Sequence, residues 1–459
     1  MRYPRLFGTD GVRGIVNETL TPEFVLRLAL AIGTYFGKGA RVLLGRDARA
    51  GNPFLTNIVI GALLSTGVKV YYAGLTPTPA LQYYIKSKGG FDGGVMITAS
   101  HNPPEYSGIK VIAGDGAEIP REDEREIERI YYEGVFNRVT WNQSHIDYVN
   151  VRDVNEHYIK GVIDLVDKER IGKFNFRVVA DCANNVPSLT TPKILRELGV
   201  KVISVNCELS HIPNRAPEPT PESLIDTIKI VKSVKADFGV AHDGDGDRAI
   251  FIDEEGNVIS GDRTAVLLCK HIVLNRGEKK PNRVITAVSS STLVEDELSK
   301  LGIKVIWTRV GSIDISRMMM KLGAIAGFEE NGGFMYPKHQ YVRDGGMTLA
   351  LMLELLSYER RRLSDLLKEL PKRLIIKTKV PLKVREEAFK VIDKLRSVYS
   401  GFRIIDVDGI KVIGNDFWFL VRPSGTEPIL RIFVEADNKE RVNEILNNVL
   451  NIVEEVLRK

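Results

Sequence analysis

"RVLLGRD" (Arg41–Asp47), "RVVADCAN" (Arg177–Asn184) and "RVITAVSSS" (Arg283–Ser291) are one phrase written three times. Each is a short apolar, β-branched run that breaks into polar residues, the pattern of a buried strand ending at a loop. A segment of helical character follows each one: "NPFLTNIVIGALLSTG", "PSLTTPKILRELG" and "STLVEDELSKLG". A second strand then recurs in nearly the same words, "GVKVYYAG" from Gly67, "GVKVISVN" from Gly199 and "GIKVIWTR" from Gly302. Strand, helix, strand is the βαβ pattern of a largely parallel sheet. Each unit closes with a third strand feeding a glycine-rich polar loop: "GGVMITASHNP", "FGVAHDGDGDR" and "AIAGFEENGG". The fold class is therefore α/β, with three tandem similar units of largely parallel mixed sheet. Ligands bind beyond the carboxyl ends of strands in such sheets, so the three loops are expected to meet at one central cleft.

The repeat stops near Lys372. From there the order is strand ("RLIIKTKVPL"), helix ("REEAFKVIDKLRSVY"), hairpin ("FRIIDVDGIKVIG"), two more strands ("DFWFLV", "ILRIFVEA") and a closing helix from Lys439. This reads as a smaller C-terminal α+β domain. The expected domains are 1–150, 151–255, 256–371 and 372–459.

Composition narrows the function. A chain of 459 residues is too long for one core, and its net charge of +5 suits anionic small molecules rather than nucleic acid. No apolar run is long enough to span a bilayer, and the N-terminal residues show no signal-peptide core. Three scattered cysteines show neither a disulfide framework nor zinc spacing, so no disulfide and a cytoplasmic setting are expected. Abundant Lys, Arg and Glu beside scarce glutamine fit a thermophilic source.

The loops carry the chemistry. In "HDGDGDR" (His242–Arg248), Asp243, Asp245 and Asp247 alternate with glycines. Carboxylates so spaced repel unless a cation lies among them, and all-oxygen ligands select a hard divalent ion. A calcium loop is the competitor, with Glu254 at the twelfth position. Its sixth position is Arg248 rather than glycine, and a strand follows, so Mg²⁺ is favoured. "RPSGTEP" (Arg422–Pro428) combines turn residues with a dense set of anion donors: Arg422, Ser424, Thr426 and free backbone N–H groups. Glu329 and Asn331 of "GFEENGG" suit sugar hydroxyls, and Arg13 of "GTDGVRG" would stabilise charge beside a phosphate. "TASHNPPEYSGIK" (Thr98–Lys110) presents Ser100 at a strand end, with His101 and Lys110 as candidates for proton transfer or charge stabilisation. Pro103 and Pro104 stiffen that loop. No G-x-S-x-G elbow surrounds Ser100, so phosphoryl transfer fits better than acyl transfer.

Together "TASHNPP", "DGDGDR", "FEENGG" and "RPSGTEP", in this order and after "GTDGVRG", resemble the signatures of the α-D-phosphohexomutases over essentially the whole chain. That family includes phosphomannomutase/phosphoglucomutase and phosphoglucosamine mutase. The resemblance implies a phosphoryl group on Ser100 in the active state, with Mg²⁺ held by Asp243, Asp245, Asp247 and that phosphoserine. It implies interconversion of hexose 1- and 6-phosphates through a hexose 1,6-bisphosphate, which also serves as activator. Glu329 and Asn331 would grip the sugar. Arg422, Ser424, Gly425 and Thr426 would hold the phosphate that is not reacting, while Arg13, Lys110 and Arg248 would stabilise or shuttle charge at the reacting one. Glucose and mannose are the first-choice sugars, with glucosamine the alternative and a catalytically silent sugar-phosphate binder the other class. Three positions depart from the pattern: Ser107 where many members have Asn, Gly333 where many have His, and Ser312 where some have His.

Overall fold

The computed structural model describes residues 3–143, 148–424 and 428–458. Gly425 and Thr426 therefore lie outside the described residues. The first unit is a six-stranded sheet of β1 (Val12–Ile15), β2 (Arg41–Arg46), β3 (Lys69–Leu75), β4 (Gly93–Ile97), β5 (Tyr106–Ala113) and β6 (Val149–Asn150), in the order β1-β5-β4-β2-β3-β6. The second contains β7 (Arg177–Asp181), β8 (Lys201–Val205), β9 (Phe238–His242), β10 (Ala249–Asp253) and β11 (Val258–Ile259), ordered β11-β10-β9-β7-β8. The third has β12 (Arg283–Ala287), β13 (Lys304–Thr308), β14 (Ala326–Phe328) and β15 (Phe334–Met335), ordered β13-β12-β14-β15.

The three sheets share one wiring. The first strand of each repeat, β2, β7 or β12, lies between two parallel partners. The third strand then turns back into an antiparallel neighbour, β4 to β5, β9 to β10 and β14 to β15. Val42, Leu43, Val178, Val179, Val284 and Ile285 have no exposed surface, as central strands covered on both faces require. Burying each such side chain contributes about 1.5–3 kcal/mol. Every chemistry-bearing loop of the repeat is thus the hairpin at the carboxyl end of the third strand.

The C-terminal sheet runs β16 (Leu374–Pro381), β20 (Ile429–Ala436), β19 (Phe417–Pro423), β18 (Ile410–Ile413), β17 (Arg403–Ile405), all antiparallel, with helices Glu387–Val398 and Lys439–Arg458 packed on it. Among the described residues no helix is long and apolar enough to cross a membrane.

One expectation is corrected. Cys182 and Cys207 form a disulfide, while Cys269 is a buried free thiol. The pair lies 25 residues apart with no motif around it. The cysteines meet because β7 and β8 are adjacent parallel strands that end side by side.

Candidate active site

Ser100 leaves β4 with a left-handed backbone (φ +51°), which a serine adopts only where its surroundings hold it. Those surroundings are built by Asp47 and Arg49, just beyond β2. The Arg49 guanidinium donates to the carbonyls of Ser100 (2.6 Å), Asn102 (2.8 Å), Pro103 (2.6 Å) and Tyr106 (3.0 Å), and to Asp47 Oδ2 (3.1 Å). Asp47 also accepts from Thr98 Oγ1 (2.6 Å), and Thr98 Oγ1 in turn accepts from the Ser100 N–H (2.9 Å). Asn52 bridges Asp47 and Ser107, which gives the buried Ser107 hydroxyl a supporting place behind the loop.

The metal-loop candidate packs directly on the serine. Ser100 Oγ donates to Asp243 Oδ2 at 2.6 Å, and Gly244 approaches so closely that a Cβ there would lie 2.5 Å from the Ser100 carbonyl oxygen. Asp243, Asp245 and Asp247 are buried, with one oxygen from each within 4.8 Å of the others. Asp245 Oδ2 is held by Thr78 Oγ1 (2.6 Å) and Lys110 Nζ (2.9 Å). Asp247 Oδ2 is held by Lys110 (3.2 Å) and Arg343 (2.6 Å). Their other oxygens, Asp245 Oδ1 and Asp247 Oδ1, are buried without a hydrogen-bond partner among the described residues. An unpartnered buried carboxylate oxygen is costly, and a pair of them beside Asp243 fits a divalent cation such as Mg²⁺. Glu254, the twelfth residue of the would-be calcium loop, instead accepts from Ser364 Oγ at 2.6 Å, and strands flank the loop.

Charge is concentrated here. Burial and then the neighbouring Asp247 and Asp245 push the Asp243 carboxyl well above the usual range. Burial favours a neutral Lys110, yet Asp10, Asp245 and Asp247 outweigh it and keep the ammonium, with its pKa raised. Lys110 is therefore a fixed cation in this geometry rather than a base. His101 goes the other way. Burial and then Arg248, Arg13 and Arg343 drive its pKa far down, so the imidazole is neutral. Arg248 Nη2 lies 3.0 Å from His101 Nδ1 and can only donate, which leaves the ring proton on Nε2, 3.6 Å from Glu218 Oε2. Arg248 also pairs with Glu218 at 2.6 Å, and Ser100 Oγ lies 3.4 Å from His101 Nδ1. Arg13 bridges Asp10 (2.8 Å) and Asn102 (2.7 Å).

Arg13, His101, Glu218, Arg248 and Arg343 of this cluster line a cleft of about 310 Å³, at the lower end of small-molecule sites, while Ser100, Lys110 and the three aspartates are buried and not part of its lining. All four domains line it: Arg13 and His101 from the first, Glu218 and Arg248 from the second, Ser312, Glu329, Asn331 and Arg343 from the third, and Arg422, Ser424 and Arg431 from the fourth. Arg422 stands opposite Arg431 across the β19–β20 ladder and is anchored by Asp408 (2.9 Å), which also accepts from the Val310 N–H of the third domain. Two arginines side by side repel unless carboxylates or an anion compensate them.

The structure therefore brings Ser100, His101, Lys110, Arg13, Arg248 and the three aspartates into one cluster, and Glu329, Asn331, Arg422 and Ser424 onto the same cleft. Asp10, Asp47, Arg49, Glu218 and Arg343 were not singled out in the sequence. Asp10 stood inside the quoted "GTDGVRG". Arg49 and Arg343 are charged residues beside buried segments, which was the available signal.

Models of the phosphoglucomutase/phosphomannomutase alpha/beta/alpha domains I, II and III match residues 4–138, 156–256 and 260–374, and that of the C-terminal domain matches 376–452. The chain belongs to the phosphoglucomutase/phosphomannomutase family. Phosphohexomutases of this family are phosphotransferase isomerases, and the chain is such an enzyme. It is 51% identical to a phosphoglucosamine/phosphogalactosamine mutase of Sulfurisphaera tokodaii, over 98% of this chain and 99% of that protein. It is 41% identical to a phosphoglucomutase/phosphomannomutase of Thermococcus kodakarensis, over 99% of each. A family structure from Burkholderia thailandensis superposes with a TM-score of 0.86 at 25% identity, covering 98% of this chain and 97% of that one. The N-acetylphosphoglucosamine mutase of Aspergillus fumigatus, solved with GlcNAc-6P and magnesium, shares the fold, with a TM-score of 0.62 at 15% identity over 98% of this chain and 96% of that one.

Proposed function

We propose that this phosphohexomutase interconverts hexose 1-phosphate and hexose 6-phosphate through a phosphoserine at Ser100 and a hexose 1,6-bisphosphate that also activates it. The observation that carries this reading is the 2.6 Å bond from Ser100 Oγ to Asp243, in a cluster whose Arg13, His101 and Arg248 line the same cleft as Arg422 and Arg431 of the fourth domain. A bound Mg²⁺ would be held by Asp243, Asp245, Asp247 and the Ser100 phosphoryl group, and would neutralise charge on the transferring group. When Ser100 takes a phosphoryl group from the bisphosphate, the phosphorus–sugar oxygen bond breaks and the phosphorus–Oγ bond forms. Ser100 gives up its Oγ proton as the departing sugar oxygen takes one up, so the exchange consumes no net proton. Lys110, Arg13 and Arg248 stabilise the reacting phosphate. Arg422 and Ser424, with Gly425 and Thr426 of the same sequence motif, hold the other phosphate, while Glu329 and Asn331 hold the sugar between them.

For the sugar itself, the 51% relative favours an amino-sugar phosphate, with glucosamine as the substrate. The 41% relative supports the second reading, glucose and mannose. Phosphorus NMR of the protein with Mg²⁺ and a trace of glucose 1,6-bisphosphate decides between them. The 1-phosphates of glucosamine, glucose and mannose are offered separately. Faster conversion of the glucosamine compound is expected. A preference for glucose and mannose reverses the assignment, and conversion of none of the three refutes the mutase reading for these sugars.

A further inference from the structure

Arg343 precedes the helix Gly345–Glu359 and is 4% exposed. Its Nη2 contacts Asp10 Oδ2 of the first domain (2.8 Å) and Asp247 Oδ2 of the second (2.6 Å), and its Nη1 contacts Glu329 Oε2 of the third (3.1 Å). One guanidinium thus touches the N-terminal loop, the metal-loop candidate and the sugar-loop candidate. Gly333, one of the departures from the family pattern, belongs to the same arrangement. A Cβ there would lie 2.4 Å from Arg343 Cδ and 2.8 Å from Cγ. Gly332 is left-handed (φ +93°) but Gly333 is not, so the backbone would accept a side chain at 333 only if the stem of Arg343 moved aside. The glycine and the arginine are a fitted pair.

Resting on the mutase reading, we propose that Arg343 is a positioning residue. It ties down Asp247 Oδ2 and leaves Oδ1, which has no hydrogen bond among the described residues and only Arg248 Nε at 3.9 Å, for the metal position, and it fixes Glu329 at a set distance from that loop. The metal end and the sugar end of the cleft are thereby kept in register. Groups behind a ligand that lock its orientation commonly change metal affinity by about 10–100-fold. Arginine suits the task because its planar fork serves two directions at once, which a single ammonium does not. The sign of the effect separates positioning from simple charge. A cation beside a cation site repels the metal, so Coulomb's law alone makes removal of Arg343 tighten metal binding.

The probes are Mn²⁺, followed by electron paramagnetic resonance, and glucose 1,6-bisphosphate, followed by calorimetry. The proteins are wild type, R343K, R343Q and G333A. R343Q is expected to bind Mn²⁺ about tenfold more weakly and to lose bisphosphate affinity, with R343K in between. Added guanidinium should restore part of the R343Q turnover, and urea should not. G333A keeps the guanidinium in the chain but displaces it, so it should shift Mn²⁺ affinity in the same direction; it decides the matter if R343Q does not fold. Mn²⁺ affinity equal to or tighter than wild type in these variants overturns the proposal. A wild-type protein that turns over no hexose phosphate overturns the mutase reading instead, and the Mn²⁺ comparison still decides what Arg343 does.

Discussion

Replacing Arg49 by lysine keeps the charge beside Asp47 and removes the fork. Arg49 donates to five acceptors, four of them carbonyls of the Ser100 loop. An ammonium has three hydrogens, so at least two acceptors go unserved. A buried acceptor left unpaired costs about 1–3 kcal/mol. Water reaching the loop from the cleft brings the loss toward the lower end, about 2–3 kcal/mol in all. For a domain of this size that lowers Tm by about 5–10 °C. The catalytic cost is larger in proportion. Ser100 holds a left-handed backbone that costs about 1–3 kcal/mol, and the Arg49 bond to its carbonyl is one of the restraints that keep it there. Once that bond is gone the serine relaxes, and a displacement of about 1 Å lowers turnover about 100-fold. Calorimetry gives the first quantity and phosphorus NMR turnover the second. An R49K enzyme with wild-type kcat and Tm would refute the view that the fork holds the nucleophile.

Further outcomes are expected elsewhere. Ser100→Ala should abolish turnover while calorimetry still detects hexose bisphosphate; residual mutase activity would remove the serine from the mechanism. Cys207→Ser opens a loop closed across 25 residues, so chain entropy gives a loss of about 3 kcal/mol, read from denaturant unfolding of the oxidised wild type against the variant. An unchanged midpoint would show that the disulfide does not restrain the unfolded chain. Burial and then Glu330 push the buried Asp262 from its ordinary 3.8 up to about 7. The folded protein then holds a proton that the unfolded chain has released, so this contribution is full below pH 3.8 and is lost as pH rises through 7. Tm should fall between about pH 4 and 7 and level off above that, and Asp262→Asn should flatten that fall; an identical slope in the variant excludes Asp262 as its source.

The legible parts of the sequence share a cause. Central strands covered on both faces must be continuously apolar, so β2, β7 and β12 announce themselves as short β-branched runs, and the repeat follows. The loop residues Ser100, Asp243, Asp245, Asp247 and Glu329 stood out because polar groups and glycines interrupt such runs abruptly. What was not legible is whatever takes its meaning from a distant partner. Arg49 acts on a carbonyl 51 residues away and Arg343 on a carboxylate 333 residues away. The disulfide exists only because two strands happen to be neighbours in the sheet. Lys110 is intermediate. Its presence near Ser100 could be read, but only the fold shows the three carboxylates that offset its burial.

The wiring also explains why one cleft needs several domains. A single βα unit offers one loop at the carboxyl end of its third strand. Three copies of the unit offer three loops, and turning each into a hairpin lets a serine, a set of aspartates and the carboxylate of Glu329 diverge without disturbing the buried strands behind them. The result is expensive: Asp10, Lys110, Asp245, Asp247 and Arg343 are charged and buried together, and apolar residues of similar volume would be at least as stable. A scaffold accumulates such a cluster where its charges are used. In the proposed reading, the arginine pair Arg422–Arg431 of the fourth domain, which lines the same cleft as Arg13, His101 and Arg248, would serve as an anchor apart from the reacting Ser100. A molecule with a phosphate at each end meets the same two sites in either orientation, which is the geometric requirement for moving a phosphoryl group from one end of a sugar to the other.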